Sequence, residues 1–101
     1  RAYNSDHQFI LAEKAGDFAE NKDIARELRL KEITPAYKDT VGEVVLDFAG
    51  VSGATQSFIH ALLSQLIREF GDQIFTRIIF KNCNEAIQQL INIVADYMAE
   101  S

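Results

Sequence analysis

Three hydroxyls, Ser52, Thr55 and Ser57, fall within a few residues of one another where an apolar segment gives way to an amphipathic one. The apolar segment is Val44–Val45–Leu46, closed by Asp47 and Phe48, and reads as a strand. The amphipathic one begins near Ser57 and reads as a helix. A helix start exposes backbone N–H groups and a partial positive charge, so it suits an anion or a phosphorylated hydroxyl. Phosphoryl chemistry at this loop is therefore the first possibility the residues raise. Each group also has a plain structural use. Ser57 or Thr55 would serve as the helix N-cap. Asp47 would accept loop N–H groups. His60 falls on the polar side of its helix, where it is solvated or partner-facing. Cys83 lies between two Asn at a helix start, a place that can stabilise a thiolate, but equally suits a small half-buried residue.

These residues do not assemble a catalytic set. No nucleophile is paired with a base in the sequence, and the two His and one Cys lack metal-ligand spacing. Gly50 and Gly53 match neither nucleotide-loop pattern. The expectation is a protein without cofactor or metal.

The elements that must position the loop follow from periodicity. Gln8–Glu13 reads as a short strand and Asp17–Ala19 as a brief second one after a turn at Gly16. Asn21 caps a helix over Lys22–Ile33, with Ile24, Ala25, Leu28 and Ile33 as a thin apolar stripe. Thr34–Gly42, containing the only Pro, reads as a connector. Val44–Phe48, apolar on both faces, is expected to be a central buried strand. Ile59, Leu62, Leu63, Leu66, Ile67 and Phe70 follow the spacing of a helix packed on a sheet, ended by Gly71. Phe75–Lys81 reads as a strand, and Asn82 as the cap of a last helix with Glu85 three residues on. Ile87, Leu90, Ile91, Val94, Ala95 and Met98 give that helix its stripe. Strands joined through helices imply parallel pairing. The expected fold is a small α/β sheet, largely parallel or mixed, of about four strands with about three helices.

Composition narrows the function. One hundred and one residues fit one domain, and a hydrophobic share of 48% supports a core and excludes a disordered chain. No apolar run approaches the roughly 18 residues of a membrane span. No signal-peptide pattern follows Arg1, and the missing Met suggests a trimmed or excised chain; a cytoplasmic protein is expected. The single Cys cannot form an internal disulfide. A net charge of −5 argues against binding a phosphate backbone, which needs clustered Lys and Arg.

The run VVLDFAGV, the hydroxyl-bearing loop and SFIHALLSQLI together resemble the STAS-like domain of unknown function found in bacteria and archaea. That family shows a strand ending in Asp-Phe-x-x-Val, then Thr-x-Ser-Phe, then an amphipathic helix. Here these are Asp47, Phe48, Val51, Thr55, Ser57 and Phe58. IIFKNCNEAIQQLI resembles the family's later strand and Asn-rich turn, so the likeness spans about residues 43–94. More distantly the chain is similar to the STAS domains of anti-sigma-factor antagonists. In those, a hydroxyl at the helix start is phosphorylated by a partner ATPase of histidine-kinase-like fold. Ser57 matches that hydroxyl. Thr55 stands where those domains carry Asp, Gln56 replaces their first hydroxyl, and Phe58 replaces a Gly.

The resemblance implies a single STAS-like domain over residues 1–101 and a non-enzymatic signalling module. Its partner would be a protein, either a kinase-like ATPase or a regulator controlled by one. The expected contact surface is the strand–loop–helix of residues 50–68. It comprises Ser52, Gly53, Thr55 and Ser57 in the loop, and His60, Ser64, Gln65 and Arg68 on the exposed side of the helix. Ser57 and Thr55 are the candidate phosphoacceptors. The alternatives are a small-molecule-sensing or dimerisation domain of a larger regulator, and a small hydrolase or transferase using Cys83 or Asp47. The oligomeric state stays open.

Overall fold

The structure is a computed structural model and describes residues 8–40 and 42–99. Strand β1 (Gln8–Ile10) runs into α1 (Leu11–Ala15), then β2 (Phe18–Ala19), α2 (Lys22–Leu28), a π-helical turn (Arg29–Ile33) and α3 (Thr34–Asp39). The second half continues with β3 (Val44–Asp47), β4 (Gly53–Ala54), α4 (Gln56–Phe70), α5 (Ile74–Arg77), β5 (Ile78–Lys81) and α6 (Glu85–Ala99). The fold is α/β, as expected.

The strands form two small parallel sheets. One has the order β1-β3-β5, with Gln8 opposite Val45 and Val44 opposite Ile78; the other pairs β2 with β4. Strand β3 is therefore central, and Val44 and Leu46 are wholly buried. Helix α4 packs against α2 on one side and α6 on the other. It buries Phe58, Ile59, Leu62, Leu63, Leu66 and Ile67, and α6 buries Ile87, Ile91, Val94 and Met98, close to the expected stripes. Gly71 ends α4 at φ +83°, the left-handed region where a residue without Cβ is unstrained, and its N–H bonds to Ile67 O at 2.7 Å.

Four boundaries differ from the sequence reading. The first strand stops at Ile10, because Leu-Ala-Glu-Lys-Ala is a run of strong helix formers and folds as α1, with Leu11 buried. The helix starting at Lys22 does not end at Ile33, and Thr34–Asp39 is helical rather than a connector. Pro35 forces the irregularity between them. A proline ring clashes with the carbonyl four residues back and lacks an N–H. The π turn widens the helix just before it, and Thr34 N–H bonds to Arg29 O, five residues back. The helix thus passes the proline instead of stopping. The strand expected from Phe75 begins only at Ile78, because Ile74–Arg77 is one helical turn. Arg77 holds that turn in place: its guanidinium donates to the carbonyls of Tyr37, Thr40 and Gly42 and stacks 3.9 Å over the Tyr37 ring.

The fourth correction concerns the last helix. Asn84, not Asn82, is its cap: Asn84 Oδ1 accepts from Ile87 N at 2.9 Å. Asn82 instead takes a left-handed backbone (φ +60°), which Asn tolerates better than most residues, and turns its amide onto Asp47. Among the described residues, no helix is long and apolar enough to cross a membrane.

Candidate functional site

The site is built where β3 leaves the sheet. Asp47 is buried, and it clamps this exit: Oδ1 accepts from Ala49 N (2.9 Å) and Asn82 Nδ2 (2.9 Å), and Oδ2 accepts from Gln8 Nε2 (3.3 Å). The Asn82 bond first, and the Ala49 amide next, hold its carboxyl below the usual carboxylate range, against an opposing effect of burial. All three strands of the larger sheet contribute to or adjoin this clamp. A carboxylate so fully engaged positions the loop.

Ser52 is a second joint. Its N–H and Oγ both donate to Asp17 O, at 2.7 and 3.0 Å, and its own carbonyl accepts from Asn84 Nδ2 at 2.8 Å. Gly53 pairs with Phe18 across the smaller sheet, and a Cβ there would lie 3.0 Å from the Phe18 ring. A side chain at this position would have to push the half-exposed Phe18 ring aside. Thr55 is the N-cap of α4: its Oγ1 accepts from Phe58 N at 3.1 Å. Its hydroxyl is spent on the helix.

Ser57 is different. It is exposed at the second position of α4, and its hydroxyl has no hydrogen-bond partner among the described residues. The sequence left Ser57 and Thr55 as rival caps; the structure gives the cap to Thr55. Further along α4, Gln65 and Arg68 are exposed and His60 is half-buried, with its ring centroid 6.0 Å from that of Tyr97. Ser64 departs from expectation. It is only 8% exposed and does not belong to the open side of the helix. It lies on the side of α4 that shares a groove with Lys22, Arg26 and Arg29, where α2 packs against α4.

This groove of about 480 Å³ is lined by Gln56, Ser57, His60, Ala61, Ser64 and Gln65 from α4 and by Lys22, Arg26 and Arg29 from the opposite side. The three cations sit at i, i+4 and i+7, one face of a helix. Arg29 reaches across it: Nε donates to Ala61 O at 3.1 Å. Burial, then the neighbouring Arg26, depress the Arg29 pKa, and Glu69 partly offsets them. Sequence reasoning missed this cluster. The overall acidity hid it, although the 22/26/29 spacing was there to be read.

Cys83 is half-buried, and its thiol is pushed up to about 11, by burial first and then by Asp47. The half-buried reading of Cys83 holds, and any stabilisation of a thiolate by the helix start is outweighed, since burial and the nearby carboxylate both disfavour charge. Asp47 and Cys83 thus sit close enough to interact, but as a clamp and a protonated thiol. His7 lies outside the described residues. No group of three or more His, Cys, Asp or Glu side chains able to hold a metal occurs among the described residues.

Comparison with known families places residues 25–88, over half of the chain, in a family described as a STAS-like domain of unknown function. The chain belongs to that family. The matched stretch runs from within α2 to the start of α6, so it contains Asp47 with its Ala49 and Asn82 partners but not Gln8, the loop, α4 and all of the groove except Lys22. It begins earlier than the motif at residue 43 suggested. No curated protein and no solved structure matches the chain significantly.

Proposed function

We propose that this STAS-like domain is a non-enzymatic regulatory module that binds a protein partner through residues 50–68, and that Ser57 is the switch. The observation that carries the reading is the division of labour at the start of α4. Thr55 caps the helix, while Ser57, two residues on, is exposed with a free hydroxyl. A group added to Ser57 therefore leaves the cap intact. The first amides of a helix lack intrahelical partners, and its dipole favours negative charge, so the folded domain tolerates a phosphate there. The partner that fits is an ATPase of histidine-kinase-like fold. It binds ATP, the Ser57 Oγ attacks the γ-phosphorus, ADP leaves, and the hydroxyl proton passes to a base of the ATPase. Phe58, the residue after Ser57, is wholly buried in the core.

A raised thiol pKa at Cys83 and the full engagement of Asp47 support the non-enzymatic side of the reading. The test is the affinity of wild type, Ser57→Ala, Ser57→Asp and Arg68→Ala for a histidine-kinase-like ATPase from the same genome, with Thr55→Ala as control. Ser57→Asp is expected to change the affinity and Arg68→Ala to weaken it. Unchanged binding by both variants would refute the reading.

A further inference from the structure

The groove between α2 and α4 brings three cationic side chains together on a chain of net charge −5. Lys22, Arg26 and Arg29 span about 10 Å along the helix, at the usual helical rise. Their local counter-charges are few. Asp23 pairs with Arg26 Nη1 at 2.9 Å, and Glu69 acts on Arg29 from a distance. Arg26 and Arg29 keep their remaining N–H groups for a ligand, because each guanidinium carries five. Neutral donors complete the lining: Ser57 is open, and Gln56 and Gln65 are exposed.

A second, independent feature lies deeper. Ser64 is nine-tenths buried and lines the groove, yet its hydroxyl has no hydrogen-bond partner among the described residues. Among the described residues no side-chain polar atom is both sealed from solvent and unpartnered, so the Ser64 oxygen opens to the groove. A hydroxyl that opens to the groove without a protein partner is available to a ligand group reaching the floor.

We propose that this groove is a docking site for an acidic segment of the protein partner, with carboxylates paired to Lys22, Arg26 and Arg29 and a polar group on Ser64. The inference rests on the reading of α4 as a partner surface and names what the partner presents. Acidic residues at i, i+4 and i+7 of a partner helix repeat the spacing of the three cations. A nucleic acid fits less well, since a dense polyanion meets the net negative charge of the remaining surface. Because Ser57 lines the same groove, a phosphate on it would place about two negative charges among the same cations. Phosphate and acidic segment therefore exclude one another, and release of the partner follows from occupancy of one groove.

The experiment is titration of the whole chain with a synthetic helical peptide carrying Glu at i, i+4 and i+7, followed by amide chemical-shift mapping. Its Gln counterpart and a short oligothymidylate run in parallel. The Glu peptide is expected to shift amides of residues 22–29 and 56–65 and to weaken with salt. Lys22→Gln with Arg26→Gln, both exposed, should weaken it roughly tenfold, as removal of two exposed ion pairs implies. The charge-matched Lys31→Gln with Lys81→Gln should stay within about twofold of wild type. Ser57→Asp should weaken the peptide in the same way as the groove variants. Equal binding of the Gln peptide, equal loss in both double variants, or tighter binding of the oligothymidylate would each overturn the proposal. If the peptide fails while Ser57→Asp and Arg68→Ala still alter ATPase binding, the groove inference falls alone. If the peptide maps to the groove while those variants bind the ATPase normally, the partner surface is misassigned instead.

Discussion

Asp47→Ala tests whether the clamp at the end of β3 holds the site together. The substitution removes three acceptor contacts, to Ala49 N, Asn82 Nδ2 and Gln8 Nε2, from a side chain only 8% exposed. A hydrogen bond to a charged group contributes about 1.5–3 kcal/mol net, and stranded donors add a desolvation cost. Two of the bonds are short, at 2.9 Å, and one is longer, at 3.3 Å. Removing the buried charge returns part of the loss. The expected destabilisation is about 2–4 kcal/mol, and Asp47→Asn, which keeps an acceptor, should cost about half of that. The pH dependence has a definite sign. The folded carboxyl is held below its unfolded value of about 3.9, so its contribution is complete above that value and fades as pH falls through it toward the folded pKa. Urea unfolding of wild type and Asp47→Ala at neutral pH and again below about pH 4 should therefore show the gap shrinking in acid. Paired with Asn82→Ala, the cycle should give a coupling of about 1 kcal/mol. A loss under about 0.5 kcal/mol at neutral pH, or a gap that widens in acid, would refute the clamp.

Three further outcomes follow from the structure. Leu62→Ala and Ile91→Ala, at buried positions of α4 and α6, should each cost roughly 2–5 kcal/mol in denaturant melts. Thr55→Ala should cost about 1 kcal/mol through the lost cap, while Ser57→Ala should stay within about 0.5 kcal/mol; the reverse order would exchange their roles. The Cys83 thiol, raised to about 11, should alkylate slowly near neutrality and accelerate only as pH approaches that value; fast labelling at pH 7 would contradict its burial beside Asp47.

Much of the fold was legible because its strongest signals are long and periodic. The stripes of α4 and α6 and the apolar β3 run each report burial directly. What failed was local competition. Pro35 reads as a helix end in sequence, but a π turn absorbs it. Asn82 and Asn84 are equivalent as letters; only the Asp47 contact distinguishes the left-handed turn from the cap. The Arg77 anchor was invisible, because its carbonyl partners lie 35–40 residues away. At the site, the loop hydroxyls could be found from their place before the helix, but not which of them is spent. Ser64 was misplaced because a polar residue on a helix usually faces solvent, whereas here α2 covers it. The cationic groove was missed because net charge averages over the surface and the three cations act only once α2 lies beside α4.

The most direct measurement is intact-mass analysis with site mapping after incubation with a histidine-kinase-like ATPase and ATP, joined to the affinity of the product for that ATPase. The account predicts a single phosphoryl group on Ser57, none on Ser57→Ala, and weaker binding of the modified domain. A wild-type chain that binds the ATPase yet stays unmodified, or that binds equally well with Ser57 phosphorylated, would contradict it.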